Sequence, residues 1–219
     1  MLKMDSHIHS EYSPDSSSKI DDILKVAGRE NIDIIAISDH NTVDGTCEVM
    51  AKTRNTDILA IPSIEVSSSL GHILGFGCEE NIPRGLTPQD TIDRIHDLGG
   101  LAIIPHPYCF YRHGLLCKSD YKDLKIDAIE TKNARFIVGY CNNKAKNLAK
   151  NENIPTLGAS DAHYWEFVGD CYSLIDCEKD IDSVLKAIKK RKVEAHGKGT
   201  SNISLSKYLF ERRVLKKFD

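Results

Sequence analysis

The stretch "DIIAISDH", Asp33–His40, decides how the rest of the chain reads. Its apolar run is too short for a helix, is apolar on both faces, and ends in two side chains that can bind metal. Six further runs share this character: Ile58–Val66, His72–Gly77, Leu101–Pro105, Ile126–Glu130, Ile154–Ser160 and Cys171–Asp176. Between the runs lie helical patterns at Ile20–Arg29, Val43–Thr53, Pro88–Leu98, Val138–Asn151 and Ile181–Lys190. The third begins with Thr87 as N-cap, Pro88 at the first helical position and Asp90 in the first turn, and Gly99–Gly100 stop it. Strands apolar on both faces, alternating with helices, predict an α/β fold with a mostly parallel sheet covered by helices. Seven such units in one chain suggest a closed barrel.

The ends of the runs carry the chemistry. Glu65 lies in "AIPSIEV", His106 ends "LAIIPHP", Glu130 ends "IDAIE", and Asp161 and His163 end "LGASDAH". In parallel barrels the active site lies at the carboxyl ends of the strands, so these residues are expected to converge on one mouth. His72 leads its run, so its strand should run against its neighbours or form a hairpin with that of Glu65. At the start of the chain, "DSHIHSEYSPDSS" (Asp5–Ser17) places His7 and His9 two residues apart, on one face of a strand. With nine histidines in 219 residues a single H-x-H pair is a weak signal. Repeated at so many strand ends, metal-capable side chains outweigh a reading as scattered core and surface histidines.

Composition sets the frame. Hydrophobic residues make up 41% and charged residues 28%, enough for a core and too apolar for wholesale disorder. A net charge of −3 gives no overall case for nucleic acid or an anionic membrane. No apolar run approaches the roughly 20 residues that span a bilayer. Seven spread cysteines without a C-x-x-C pair, and no signal peptide, read as reduced thiols of a cytoplasmic protein.

The ordered set "DSHIHSEYSPDSS", "AISDHNT", "PSIEVSS", "GHILGFG", "IIPHP" and "GASDAH" resembles the polymerase-and-histidinol-phosphatase (PHP) family of metal-dependent phosphoesterases, from Asp5 to about Asp176. The resemblance implies a distorted (β/α)7 barrel and two to three divalent metal ions. It implies that His7, His9, Glu65 and Asp161 hold a first metal, that Glu65 bridges to a second held by His72 and His106, and that Asp15, His40 and His163 hold a third. In "SPDS" a proline shifts Asp15 by one from the commoner "SDG" form. Imidazole and carboxylate donors without thiolate suit zinc, manganese or iron.

The resemblance also implies hydrolysis of a phosphomonoester of a small metabolite or nucleotide through a metal-bridging hydroxide. Three dications set against Glu65, Asp15, Asp161 and one hydroxide leave about +2, which a phosphate dianion neutralises and a neutral amide does not. Asp161 or His163 is the candidate proton donor to the leaving oxygen. Arg135, Arg112 and Lys132 are candidate phosphate contacts, although each also reads as a surface residue. Tyr108 and Phe110 either stack on a base or, the simpler reading, pack the rim, and Glu130 reads as orienting a ligand. Alternatives are an exonuclease on short oligonucleotides, an amidohydrolase, and a metal-binding barrel without catalysis; the oligomeric state stays open.

Several features carry little. His96 reads as a helix-face residue, His113 and His196 as loop residues, with the mouth as the alternative place for His113, and Asp39 as orienting a ligand or structural rather than a ligand itself. "GKGTS" (Gly197–Ser201) lacks the strand and Lys-Ser/Thr pair of a phosphate loop. The barrel is expected to span residues 1–195. Residues 196–219 form a basic tail whose "SLSKYLFERRVLKKFD" (Ser204–Asp219) reads as a terminal helix on the barrel, with a subunit or anionic-polymer contact as alternatives.

Overall fold

The computed structural model describes residues 1–135 and 140–200. The tail segment Ser204–Asp219 and the first two residues of the helix expected from Val138 lie outside them. Strands are β1 (Leu2–Ile8), β2 (Ile34–Ile37), β3 (Leu59–Ala60), β4 (Ser63–Ser67), β5 (His72–Phe76), β6 (Leu101–Ile104), β7 (Ala128–Asn133), β8 (Thr156–Ala159), β9 (Cys171–Ile175) and β10 (Val193–Gly197). Helices are α1 (Ile20–Arg29), α2 (Asp44–Thr53), α3 (Pro88–Asp97), α4 (Tyr140–Glu152) and α5 (Ile181–Lys189). The five helices fall on the five expected patterns. Thr87 caps α3 as expected, its hydroxyl accepting from the Asp90 N–H at 3.1 Å.

The strands do not close into the single ring that seven units suggested. They pair into two five-stranded sheets, β10-β9-β1-β2-β3 and β4-β5-β6-β7-β8. The run expected over Ile58–Val66 breaks at Ile61–Pro62, where proline has no N–H for the ladder, and its halves join different sheets. β1 spends its far edge on β9, antiparallel, rather than on β8. Two seams of single bridges link the sheets, Ile8 to Ala162 and His40 to Glu65. His72 behaves as its leading position foretold: β4 and β5 form an antiparallel hairpin with Ser67 opposite His72. Strand β10 runs across residues 195 and 196, where the barrel was expected to end and the tail to begin.

Between the sheets Met4, Ile34, Leu74, Phe76, Leu101, Ile103, Leu157 and Ile175 form a buried core, and α5 seals its base with Val184 and Ile188. Outer cores seat α1 and α2 on one sheet, through Ile23, Val26 and Val49, and α3 and α4 on the other, through Ile92, Ile95 and Ala145. Each valine, leucine, isoleucine, phenylalanine or methionine among them contributes roughly 1.5–3 kcal/mol on burial. The interior core thus fills the amino ends of β1, β2, β6, β7 and β8, with the far ends of antiparallel β5 and β9, and leaves the carboxyl ends of the parallel strands to polar groups.

Candidate metal centre

All nine side chains expected to bind metal meet at that carboxyl end. They fall into four overlapping groups of donors: His9, Asp15, His40 and His163; His7, Glu65 and His106; His7, His9 and Asp161; and His40, Glu65 and His72. Both sheet seams run through the cluster. The His9 N–H donates to Ala162 O at 2.8 Å and the Asp161 N–H to His7 O at 2.8 Å. At the other seam the Glu65 N–H reaches Asp39 O at 3.1 Å and the Asn41 N–H reaches Glu65 O at 2.9 Å.

Glu65, 1% exposed, is the hub. Its Oε1 lies 2.9 Å from His72 Nδ1 and 3.1 Å from His106 Nε2. Its Oε2 lies 3.1 Å from His40 Nδ1, 3.3 Å from His9 Nε2 and 3.4 Å from His7 Nε2. Burial would push its carboxyl up, but the facing His72, His40 and His7 prevail and hold it well below the usual range. Asp15 Oδ2 sits 2.8 Å from His163 Nε2 and 3.6 Å from His40 Nε2, the place expected of it.

A surrounding layer orients these donors. His7 Nδ1 is 2.8 Å from Glu130 Oε1, and His9 Nδ1 is 3.1 Å from Ser13 Oγ, so the Nε2 atoms of both rings turn toward each other at 2.9 Å. Glu130 Oε2 also accepts from the His106 N–H and from Asn133 Nδ2, each at 2.9 Å. Asn133 Nδ2 reaches Asp161 Oδ2 at 2.9 Å as well. Glu130 therefore fixes the His7 ring and the His106 backbone; Ser13, in a turn, and Asn133, at a strand end, carry no distinctive signal in the sequence. Asp39 is structural, accepting from the Ser10 N–H at 2.7 Å and from its hydroxyl at 2.6 Å. Gly45 permits that clasp: a Cβ there would sit 2.1 Å from Asp39 Oδ2.

The donor set fits divalent ions. Glu65 Oε2, Asp161 Oδ1 and Asp15 Oδ1, with Nδ1 of His40 and His72, are buried and crowd one another without the geometry of a hydrogen bond. Polar atoms so placed are costly unless something binds them, and nitrogen and oxygen donors without thiolate suit zinc, manganese or iron.

The phosphate candidates separate. Arg112 contacts Asp161 Oδ2 closely, and Arg135 Nη1 lies 3.6 Å from Asp161 Oδ1 and 2.9 Å from His163 Nε2. Both line a cavity of about 380 Å³ over the histidines. Lys132 does not reach it and lines a separate cavity on the outer wall. A bulge explains this: β7 shifts register between Glu130 and Lys132, so the two no longer share a face. His113, set aside in the sequence, lines the mouth 5.2 Å from the His72 ring. Phe110 does not pack the rim; it and Tyr111 are each 74% exposed, while Tyr108 is half-buried under Lys144. His96 pairs with Asp127 at 2.7 Å and His196 stacks on Tyr172, both outside the cluster.

With this geometry in place, the comparisons with known proteins are decisive for the family. Residues 5–162 match the PHP domain, and residues 139–193 match the PHP-associated region. The chain belongs to the PHP family. A Methanocaldococcus jannaschii protein, MJ1587, is 37% identical over 159 residues, which cover 67% of this PHP chain and 90% of MJ1587. Among solved structures, a Bacteroides vulgatus two-domain protein containing a predicted PHP-like metal-dependent phosphoesterase superposes with a TM-score of 0.76 at 16% identity. That match covers 90% of this chain and 65% of the two-domain protein. The lesion-specific endonuclease PfuEndoQ of Pyrococcus furiosus gives a TM-score of 0.67 at 18% identity, covering 86% of this chain and 56% of the endonuclease. At such identities the likeness shows a shared fold. No helix among the described residues is long and apolar enough to cross a membrane.

Proposed function

We propose that this PHP protein is a metal-dependent phosphoesterase that hydrolyses a phosphomonoester of a small metabolite or nucleotide. The observation that carries the reading is a buried imidazole–carboxylate cluster with unpartnered donor atoms and two guanidinium groups on its rim. Divalent ions bound there, zinc, manganese or iron, would act as Lewis acids and lower the pKa of a bound water. Glu65 presents one oxygen to His72 and His106 and the other to His7, His9 and His40, the arrangement a carboxylate shared between two ions requires. Arg112 and Arg135 take phosphate oxygens with their fork of N–H donors, Arg112 exchanging Asp161 for the incoming anion. Both candidate proton donors are biased toward their unprotonated forms. Burial and the neighbouring His9 push His163 down to about 3, and Arg112 and His7 overcome burial to hold Asp161 well below the carboxylate range. That balance favours delivery of the proton to the leaving oxygen through a water beside these two side chains over direct transfer from either.

A cationic rim is the reason to prefer a phosphate over a neutral amide, and Lys132, the one lysine considered as an amidohydrolase-type metal bridge, lies outside the mouth. Exposed Phe110 and Tyr111 beside Arg112 favour a base-bearing substrate and keep exonuclease action on short oligonucleotides as the second reading. The test counts metals per chain by mass spectrometry, then follows phosphate release with each metal from monoesters, bisphosphates, diesters and short RNA. Metal-dependent release, fastest from a monoester, is expected. A preparation that retains no metal, or that cleaves amides and no phosphate ester, overturns the proposal.

A further inference from the structure

The largest cavity among those described, about 960 Å³, lies not over the histidines but on the outer wall, between α4, the β7–β8 pair and β10. Lys132, Lys146, Lys150 and Arg191 line it against one carboxylate, Glu194, so a chain of net charge −3 concentrates positive charge here. Lys146 and Lys150 stand one turn apart on the same face of α4, both exposed. Among the described residues, none of the three lysines has a carboxylate partner. Glu194 is engaged with His196 at 3.3 Å, and Arg191 donates to Asn153 O at 3.0 Å.

We infer that this groove is a second anion site, distinct from the metal centre, that holds the sugar-phosphate backbone of a single-stranded nucleic acid. Its chemistry favours a strand over a compact phosphate. A pocket for one phosphate group converges fixed donors on a point, usually backbone N–H groups or a free arginine fork. Here one Nη1 of the Arg191 fork is turned to Asn153 O, and the lysines are point charges spread along α4 and β7, which read charge and not shape. The groove also begins near the mouth. Asn142, at its upper end, exchanges hydrogen bonds with the Asn133 backbone at 3.2 and 3.1 Å, and the Asn133 side chain holds Glu130 and Asp161. Tyr140, 70% exposed, heads α4, and the next residue, Cys141, lies 3.2 Å from Tyr108 O, in the loop that carries the exposed Phe110 and Tyr111. Rings for bases followed by cations for phosphates are what sequence-independent strand binding uses.

The test measures fluorescence anisotropy of a short labelled poly-dT with hydrolysis-resistant phosphorothioate linkages, on the full-length protein across a salt series. The paired variant Lys146→Gln, Lys150→Gln should bind about tenfold more weakly, its salt slope falling by about 0.7 per lysine removed. Its metal content and its turnover of p-nitrophenyl phosphate should match the parent, so failure here is separable from failure of the hydrolytic reading. Undiminished binding by that variant overturns the inference. So does a loss produced instead by Lys216→Gln, Lys217→Gln in the tail sequence, or tripolyphosphate binding as tightly as the strand, which would assign the groove to a free polyphosphate.

Discussion

Glu130→Gln tests whether the layer around the cluster governs it. The carboxylate accepts on both oxygens, from His7 Nδ1 at 2.8 Å on one side and from the His106 N–H and Asn133 Nδ2 at 2.9 Å on the other. Glutamine has one acceptor oxygen to cover both sides. If that oxygen serves His7, the new NH2 faces two donors, and the buried His106 N–H loses its partner at about 1–3 kcal/mol. If it serves His106 and Asn133, the NH2 faces His7 Nδ1, the ring must carry its proton on Nε2, and the nitrogen turned toward the cluster can no longer bind a metal. Either way the variant suffers. We expect a 10–100-fold loss of metal affinity, about 1.4–2.7 kcal/mol, in titration against a competing chelator. A melting temperature lower by about 2–4 °C per kcal/mol accompanies it. A variant that binds metal and melts like the parent would refute the reasoning, because no placement of a neutral amide satisfies all three donors.

Glu65→Ala removes the hub, so metal content should fall by at least one ion per chain and activity by about 100-fold or more, beyond the loss from an orienting partner; intact metal content and activity would contradict a shared carboxylate. Asp180 accepts from the Ser183 N–H at 2.9 Å as the N-cap of α5, so Asp180→Ala should cost about 1 kcal/mol in denaturant unfolding without touching metal content. Burial pushes the Cys78 and Cys171 thiols up to about 12, while Cys47 is exposed. With a disulfide reagent at pH 8, the exposed Cys47 and Cys117 should react first, and Cys78 and Cys171 only on unfolding.

The helices and most strands were legible because each obeys a local rule: apolar runs bounded by turns, a Thr87–Pro88 start, a double-glycine stop. The donors were legible as residue types following strands. Pairing was not. Nothing in "IDIIAIS" says which edge meets which partner, and "VEAHG" buries only Val193 firmly, so β10 lacks the pattern of a core strand. Lys132 was misplaced because alternation assumes an unbroken ladder, and the bulge after Glu130 removes that assumption.

That failure points to how the cluster is assembled. In β2 and β4 simple alternation suffices: Ile34 and Ala36 face the interior and Ile35 and Ile37 face α1, while Ile64 and Val66 turn outward on either side of Glu65. In β1 it does not, since Met4 is interior and Ile8 packs under α1, so a continuous strand would send His7 outward. The register shift between Asp5 and Ile8 reverses the parity and turns His7 and His9 in. In β6, Leu101 and Ile103 are interior, which by alternation would aim His106 away; it instead adopts φ 31°, a conformation few histidines take, and its ring reaches Glu65. Asp161, at φ 53°, turns in the same left-handed way. The backbone departs from regular geometry at the donors, and the seams where only single bridges link the two sheets lie at the same residues. Such departures carry a cost of order 1–3 kcal/mol each and persist where the surroundings over-determine them. Converging nine donors from seven stretches of chain on one mouth demands this irregularity, and a perfectly alternating barrel would scatter them.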